Sequence, residues 1–120
     1  MIEERPWGYF TILDDKKTHK VKRIVVYGGQ RLSYQSHEKR EETWIFVKGE
    51  GVVTIDDTDY PVMAKSSVRI PMRAKHRVKN SGPGHLEFVE VQTGDYFGED
   101  DIVRYSDDYG RADGAITPKT

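Results

Sequence analysis

Short alternating runs of apolar and polar residues dominate the chain. Segments rich in glycine, proline or aspartate separate these runs, and no segment carries a sustained helical period. Alternation of period two is typical of strands with one buried face, and many short strands are typical of a small all-β barrel or sandwich. The strands that this pattern predicts cover residues 9–13, 21–27, 32–36, 43–47, 52–55, 60–63, 67–70 and 86–92.

Three segments fall outside the alternating pattern. Residues 1–9 are predicted as an N-terminal arm, whose Trp7 should pack on the domain or on a second subunit. Residues 94–111 mix acids, bases and tyrosines without one period, which predicts a loop with a short helix near 100–105. Residues 112–120 are predicted as a frayed tail.

Length, charge and composition narrow the classes of function. With 120 residues the chain is predicted to form a single domain, 1–120. Its formal net charge of −1 argues against nucleic acid or a membrane surface as a partner. No cysteine occurs, so a metal site would need nitrogen and oxygen ligands. No apolar run approaches the roughly 20 residues of a membrane span and no signal peptide is recognised, so we expect a cytoplasmic protein.

The stretch 28–51 carries candidate metal ligands. If it forms strands, Gln35 and His37 point to one side, and Glu42 begins a second set of residues that share a face. One amide, one imidazole and one carboxylate that converge would give a cation three ligands, and His76 would supply a fourth. Each residue alone is compatible with a polar strand that contains a satisfied histidine. The four together favour a metal site.

Strand parity indicates further polar groups inside the predicted barrel. Lys22 shares a face with apolar neighbours, and a buried ammonium group needs an anionic partner, either a ligand phosphate or a structural glutamate. Glu90 and Gln92 continue an apolar face, which indicates a polar pocket or a strand edge that emerges into water. Arg40, in a predicted charged loop at 38–41, is interpreted as a solvated arginine or as a residue at the mouth of the site.

Two blocks of the sequence resemble the two motifs of cupins. The matching residues are Gly29, Gln35, His37, Glu42 and Gly49 in the first block and Pro71, His76 and Asn80 in the second. Gln35 stands where the motif has its first histidine, which makes the ligand set harder. Arg73 stands where the second motif has a glycine. The resemblance implies an all-β cupin fold, that is, a double-stranded β-helix or jelly-roll barrel.

Four ordered blocks narrow the resemblance to the type II phosphomannose isomerase domain. They read RPWG at 5–8, LSYQSHEKREETW at 32–44, IPMRAKHRVKN at 70–80 and EVQTGDYFGEDDIVRYSDDYGR at 90–111. The resemblance implies that mannose 6-phosphate and fructose 6-phosphate are interconverted with a divalent cation. The first candidate for this cation is zinc, and manganese, cobalt, iron and nickel are the alternatives. The metal positions that the resemblance implies are Gln35, His37, Glu42 and His76, and Arg40 matches a motif arginine implicated in activity.

An aldose–ketose isomerase needs a proton carrier and a phosphate site besides its metal. The reaction passes through an enediolate and requires a base, for which Glu90, Glu99 and Asp100 are candidates. The phosphate of a hexose 6-phosphate requires cations, because it is a dianion. The candidates for these substrate contacts are Lys22, Arg40, Arg77 and Arg104, with Gln92 as a further polar contact.

Two other functions are compatible with the same residues. One is a non-catalytic cupin that binds a metal or a sugar phosphate, and the other is a different carbohydrate enzyme, such as a nucleotide-sugar epimerase with a histidine base and no metal. Turnover distinguishes the isomerase from the binder. A homodimer is also expected, because residues 43–47 are apolar at most positions and are predicted to be covered on both faces.

Overall fold

All the strand pairs in the described part of the chain are antiparallel. The structure is a computed structural model that describes residues 1–110. Its strands are β1 (Ile2–Arg5), β2 (Gly8–Asp15), β3 (His19–Val26), β4 (Tyr34–Ser36), β5 (Arg40–Lys48), β6 (Glu50–Ile55), β7 (Thr58–Met63), β8 (Ser67–Ile70), β9 (His76–Asn80), β10 (Leu86–Gly94) and β11 (Val103–Ser106). No helix within residues 1–110 is long and apolar enough to cross a membrane. The predicted tail, 112–120, lies outside the described residues.

The strands form two sheets. The six-stranded sheet has the order β1-β2-β3-β10-β5-β8, and the five-stranded sheet has the order β11-β4-β9-β6-β7. From β3 onward the chain passes from one sheet to the other at every connection except the β6–β7 hairpin. This repeated crossing gives two facing sheets in a jelly-roll arrangement, so the all-β barrel expected from the sequence is confirmed.

Period-two alternation places one core between the sheets. Trp44 and Phe46 point inward from β5, and the Phe88 ring from β10 packs on both, with ring centroids 4.8 and 4.9 Å away. Val53 and Val78 of the other sheet belong to the same buried cluster. The inward faces of both sheets therefore close around a single apolar core.

These inward faces become polar toward one end of the barrel. Arg40 and Glu42 face inward near the start of β5, and Glu90 and Gln92 face inward near the end of β10. The register aligns Gln92 with Glu42, while Lys22 on β3 is the partner of Glu90. All five side chains are buried, so the strand edge emerging into water is excluded and a polar interior is found instead.

The N-terminal segment contributes to both the sheet and the core. Residues 2–5, predicted as part of an arm, form β1 and pair with β2, because every second residue of this short segment faces the domain. Trp7 follows directly and is buried in the core cluster. Its predicted packing on the domain is confirmed.

Three local predictions are wrong. The helix near 100–105 is not found, because the chain makes a turn there and then forms β11, which pairs with the edge of β4. The loop at 38–41 ends earlier than predicted, because β5 begins at Arg40 and pairs with β10 there. Residues 43–47 are covered on one face only within this chain, and Ile45 and Val47 on the other face remain 46% and 48% exposed.

The turn before β9 has a backbone that glycine would favour. Arg73 adopts a φ of +67°, in the left-handed region, at the position where the cupin motif has glycine. Its backbone N–H donates to the carbonyl of His37 at 2.8 Å. The turn thus keeps the glycine-like conformation despite the arginine side chain, and it ties the segment before His76 to the segment after β4.

Candidate metal centre

Three buried side chains converge at the polar end of the barrel. His37 follows β4, Glu42 lies on β5 and His76 begins β9. One candidate ligand atom from each lies within 4.8 Å of the others, and the two imidazole rings have centroids 5.1 Å apart. The two histidines meet because β4 pairs with β9 through Gln35 and His76.

Backbone carbonyls orient both imidazole rings. His37 Nδ1 lies 2.7 Å from the carbonyl oxygen of Asp101, and His76 Nδ1 lies 3.0 Å from that of Ala74. A carbonyl only accepts hydrogen bonds, so each Nδ1 carries the proton and each neutral ring keeps a lone pair on Nε2. Outer contacts of this kind are typical of histidines that bind a metal.

Burial keeps the two histidines neutral. Loss of solvation lowers the pKa of His37 to about 4, although the negative charge of Glu42 opposes this effect. Loss of solvation also lowers the pKa of His76. Both rings can therefore offer a lone pair near neutral pH without first losing a proton.

Glu42 is a buried carboxylate held by two donors. Its Oε1 accepts a hydrogen bond from Trp44 Nε1 at 2.9 Å, and its Oε2 accepts one from Arg40 Nε at 2.8 Å. Burial alone would raise the pKa of Glu42, but the positive charge of Arg40 holds it well below its usual range. Glu42 therefore remains ionised.

Arg40 lies inside the site and not at its mouth. Its side chain is only 6% exposed, and its Nη2 donates to His37 Nε2 at 3.2 Å. The prediction of a solvated or rim arginine is wrong, because the inward alternation of β5 begins at this residue. Its Nη1 is buried and has no hydrogen-bond partner among the described residues.

A pocket with about 650 Å³ of empty space, including its open mouth, surrounds the three ligand candidates. Every predicted site residue except Gln92 and Asp100 lines it. Gln35 is among these residues, and its amide nitrogen makes a long 3.4 Å contact with the carbonyl of Ser33. The predicted site residues that line the pocket are Lys22, Gln35, His37, Arg40, Glu42, His76, Arg77, Glu90, Glu99 and Arg104.

The acidic candidates have different environments. Glu90 is buried and accepts a hydrogen bond from Gln92 Nε2 at 2.6 Å. Burial and then the charge of Glu42 raise the pKa of Glu90 to about 8, although Lys22 opposes them. Glu99 is half-exposed and accepts a hydrogen bond from Lys22 Nζ at 2.7 Å. The buried ammonium group of Lys22 therefore has an anionic partner, as its burial requires.

The two arginine candidates lie on the five-stranded sheet. Arg77 on β9 donates from Nε to the carbonyl of Leu32 at 3.2 Å and makes a longer 3.4 Å contact from Nη2 to that of Ser106. Arg104 lies on β11, opposite Gln35 in the register. Asp100 does not line the pocket, and its Oδ1 accepts a hydrogen bond from Tyr96. Arg77 and Arg104 therefore remain candidates for substrate binding, whereas the position of Asp100 argues against it as the base.

Sequence reasoning missed other groups of the site. Arg5 and Trp7 also line the pocket, and both belong to the RPWG block, which was the signal available for them. Period-two spacing places Trp44 on the same strand face as Glu42, and this was the sequence signal for the Trp44 donor. No sequence signal identifies the backbone carbonyls of Asp101 and Ala74, since any residue type can supply a carbonyl.

Two facing antiparallel sheets with two histidines and a glutamate inside one end give this protein the cupin fold. The structure aligns with the cupin domain of Cnp3 from Schizosaccharomyces pombe with a TM-score of 0.74. The alignment covers 79% of this chain and 69% of that chain, at 12% sequence identity. Similarity at this level of identity concerns the fold alone, and it confirms the expected fold class.

Residues 2–107 match the sequence family described as "Mannose-6-phosphate isomerase C-terminal", and the chain belongs to this family. The Xanthan biosynthesis protein XanB of Xanthomonas campestris pv. campestris (strain B100) is 47% identical over 107 residues. A mannose-1-phosphate guanylyltransferase of Salmonella montevideo is 45% identical over 107 residues. Each alignment covers 89% of this chain and 23% of the relative, so the chain spans about a quarter of the length of these relatives.

Proposed function

We propose that this chain is a metal-dependent isomerase that interconverts mannose 6-phosphate and fructose 6-phosphate through an enediolate. The observation that carries the proposal is the buried group of His37, Glu42 and His76 in a chain of the mannose-6-phosphate isomerase family. The guanylyltransferase named for the Salmonella relative is about four times as long as the aligned part, so that activity is not transferred to this chain.

The donor set fits a divalent metal ion. Two neutral imidazole nitrogens and one ionised carboxylate are ligands that zinc, manganese, cobalt, iron and nickel accept, with zinc as the first choice. We propose His37, Glu42 and His76 as ligands, with Gln35 as the fourth. When bound, such an ion would act as a Lewis acid that stabilises negative charge on the sugar oxygens.

We propose Glu90 as the group that moves the proton between the two sugar carbons. Its pKa, raised to about 8, lies near the pH at which a reversible isomerase works, so the same carboxyl group can accept and return a proton. Glu99 is less suited to this role, because Lys22 opposes the effect of burial and lowers the pKa of Glu99. Glu99 then serves to hold Lys22 at the pocket.

Cations around the pocket support binding of the substrate phosphate. Arg77 and Arg104 line it from one sheet, and Lys22 lines it from the other. Guanidinium groups suit a phosphate dianion because they can donate two parallel hydrogen bonds. We propose that Arg77 and Arg104 bind the phosphate, while Lys22, Arg40 and Gln92 organise the acidic groups at the closed end.

A coupled assay for fructose 6-phosphate formed from mannose 6-phosphate tests the proposal. Protein stripped with a chelator should be inactive, and Zn²⁺, Mn²⁺, Co²⁺, Fe²⁺ or Ni²⁺ should restore turnover. The activity of His37→Ala should be at least a hundredfold lower than that of the wild type, because the substitution removes one of the proposed metal ligands. His85→Ala is the matched control, since His85 packs on Tyr27 and does not line the pocket. Metal binding without turnover would instead favour a non-catalytic sugar-phosphate-binding cupin, and turnover without metal would contradict the proposed metal dependence.

We also propose that the outer face of the six-stranded sheet mediates a homodimer. Ile45 and Val47 are nearly half exposed on this face, and Val89 of β10 is the register partner of Ile45. A contiguous apolar sheet face is typical of an interface. Light scattering should show a dimer, and Ile45→Lys should give a monomer. Met63→Lys, at an exposed position of β7, is the matched control.

A further inference from the structure

The guanidinium group of Arg40 uses the same atoms that a metal ion would need. Its Nε donates to Glu42 Oε2 at 2.8 Å, and its Nη2 donates to His37 Nε2 at 3.2 Å. Because the proton of His37 lies on Nδ1, Nε2 carries the only ring lone pair that can accept this hydrogen bond. That lone pair serves either Arg40 or a metal ion, but never both.

Charge adds to this competition. A guanidinium group is always protonated in proteins, and the one of Arg40 is buried among the ligand candidates. A divalent ion on His37 and Glu42 would lie next to this positive charge in a poorly solvated site, where repulsion is strong. Metal binding therefore requires the guanidinium group to move.

The structure provides an acceptor to which it can move. Gln92 Oε1 and Arg40 Nη1 are both buried, and neither has a hydrogen-bond partner within residues 1–110. Gln92 is the β10 partner of Glu42, two positions along the same inward face from the partner of Arg40. Glu90 lies on this inward face as well. An unused donor and an unused acceptor on neighbouring strands are unusual in a folded interior, and they point to a second arrangement of Arg40.

We propose that Arg40 is a built-in competitor of the metal. It neutralises Glu42 and caps His37, and on metal binding it turns toward Gln92 Oε1 and Glu90. The inference rests on the proposed metal-dependent function, and it adds that this protein weakens its own metal affinity through a specific side chain. A purely structural role for Arg40 would instead predict that its loss damages metal binding.

Titration with Co²⁺ at pH 8, in competition with a chelator, measures the effect without any need for turnover. Arg40→Leu removes both the charge and the donors without adding a ligand, and it should bind Co²⁺ at least tenfold more tightly than the wild type. Arg69→Leu is the matched control, because Arg69 is exposed and pairs with Glu41 on the outer surface. It should bind Co²⁺ like the wild type. Equal or weaker binding by Arg40→Leu would overturn the inference and leave the proposed function standing.

Thermal melts give a second readout of the same linkage. Without metal, Arg40→Leu should melt below the wild type, because Glu42 loses its counter-charge. Saturating Co²⁺ should raise its melting temperature more than it raises that of the wild type. A smaller rise in the variant would count against competition. If the wild type itself binds no Co²⁺, the proposed function fails first and the inference fails with it.

A measurement on the unmodified sequence covers the case in which Arg40→Leu does not fold. In protein labelled with ¹⁵N-arginine, the Nε–H signal of Arg40 is assigned by its loss in Arg40→Lys. One equivalent of Zn²⁺ should shift this signal, because the hydrogen bond to Glu42 is exchanged for a new one. The signal of Arg69 should not change. An Arg40 signal that stays in place while Zn²⁺ is bound would overturn the inference.

Discussion

The indole N–H of Trp44 makes a hydrogen bond to the buried Glu42 carboxylate, and its removal gives a quantitative test of the site. Trp44→Phe keeps an aromatic ring beside Phe46 and Phe88 but deletes the donor 2.9 Å from Glu42 Oε1. His76 Nε2 lies 4.0 Å from the same oxygen but carries no proton in the tautomer described, so it cannot take the place of the indole N–H. The carboxylate would therefore lose the Trp44 donor.

The magnitude follows from the type of bond. Hydrogen bonds to charged groups contribute about 1.5–3 kcal/mol, and the smaller ring adds a packing loss of about 1 kcal/mol. We expect the free energy of unfolding to fall by about 3 kcal/mol in total. For a domain of this size, this corresponds to a decrease in melting temperature of about 12 °C.

Urea unfolding followed by circular dichroism, with chelator present, measures the loss. Trp7→Phe is the matched control, since Trp7 is also buried but has no hydrogen bond to a carboxylate within residues 1–110. It should lose only the packing contribution. Equal losses in the two variants would refute the argument that Trp44 stabilises the Glu42 anion. Trp44→Phe should also weaken Co²⁺ binding about tenfold, because Glu42 is no longer held in orientation.

Three further predictions concern other parts of the fold. Asn80→Ala removes hydrogen bonds to two backbone carbonyls and one backbone N–H, and it should cost about 3 kcal/mol in urea unfolding; a loss below about 1 kcal/mol would contradict this. Arg73→Gly should raise the free energy of unfolding by up to about 1 kcal/mol, whereas Arg73→Val should lower it by at least about 1 kcal/mol, because only glycine accepts a φ of +67° without strain. A hydrogen bond from Arg31 lowers the folded-state pKa of Asp108, so their pairing stabilises the fold above the unfolded pKa near 3.8 and is lost as the pH falls through the lower folded value. Asp108→Asn should therefore cost about 0.5–1 kcal/mol at pH 7, and a difference from the wild type that persists at pH 2 would speak against this pairing.

Alternation along the sequence predicted strands with several apolar residues and missed β1, β9 and β11, which have few. The predicted strands coincide closely with β2, β3, β5, β6, β7, β8 and β10. β9 was missed because two of its three inward residues, His76 and Asn80, are polar. β1 was missed because only its first residue is apolar, and β11 because a mixed acidic and aromatic segment hides its short pattern. A site inside a barrel requires polar residues on inward strand faces. Hydrophobic periodicity detects such strands least well.

The sequence predicted which side chains form the candidate site, but it did not predict how they are arranged. The spacing of His37, Glu42 and His76 sufficed to propose that they converge, and strand parity indicated an interior position for Lys22 and, as one of two alternatives, for Glu90. The depth of Arg40 could not be deduced, because five consecutive charged residues, 38–42, conceal the point at which inward alternation begins. The role of each residue in binding or turnover stays a prediction.

The shared register of β5 and β10 limits how this site can change during evolution. On both strands, core aromatics and site residues occupy alternating positions of one continuous face. Insertion of one residue between Glu42 and Trp44 would turn one of these two groups outward, because a shift by one residue exchanges the faces of a strand. Descendants of this chain can therefore vary the chemistry by substituting residues one at a time, whereas insertions and deletions are confined to the loops.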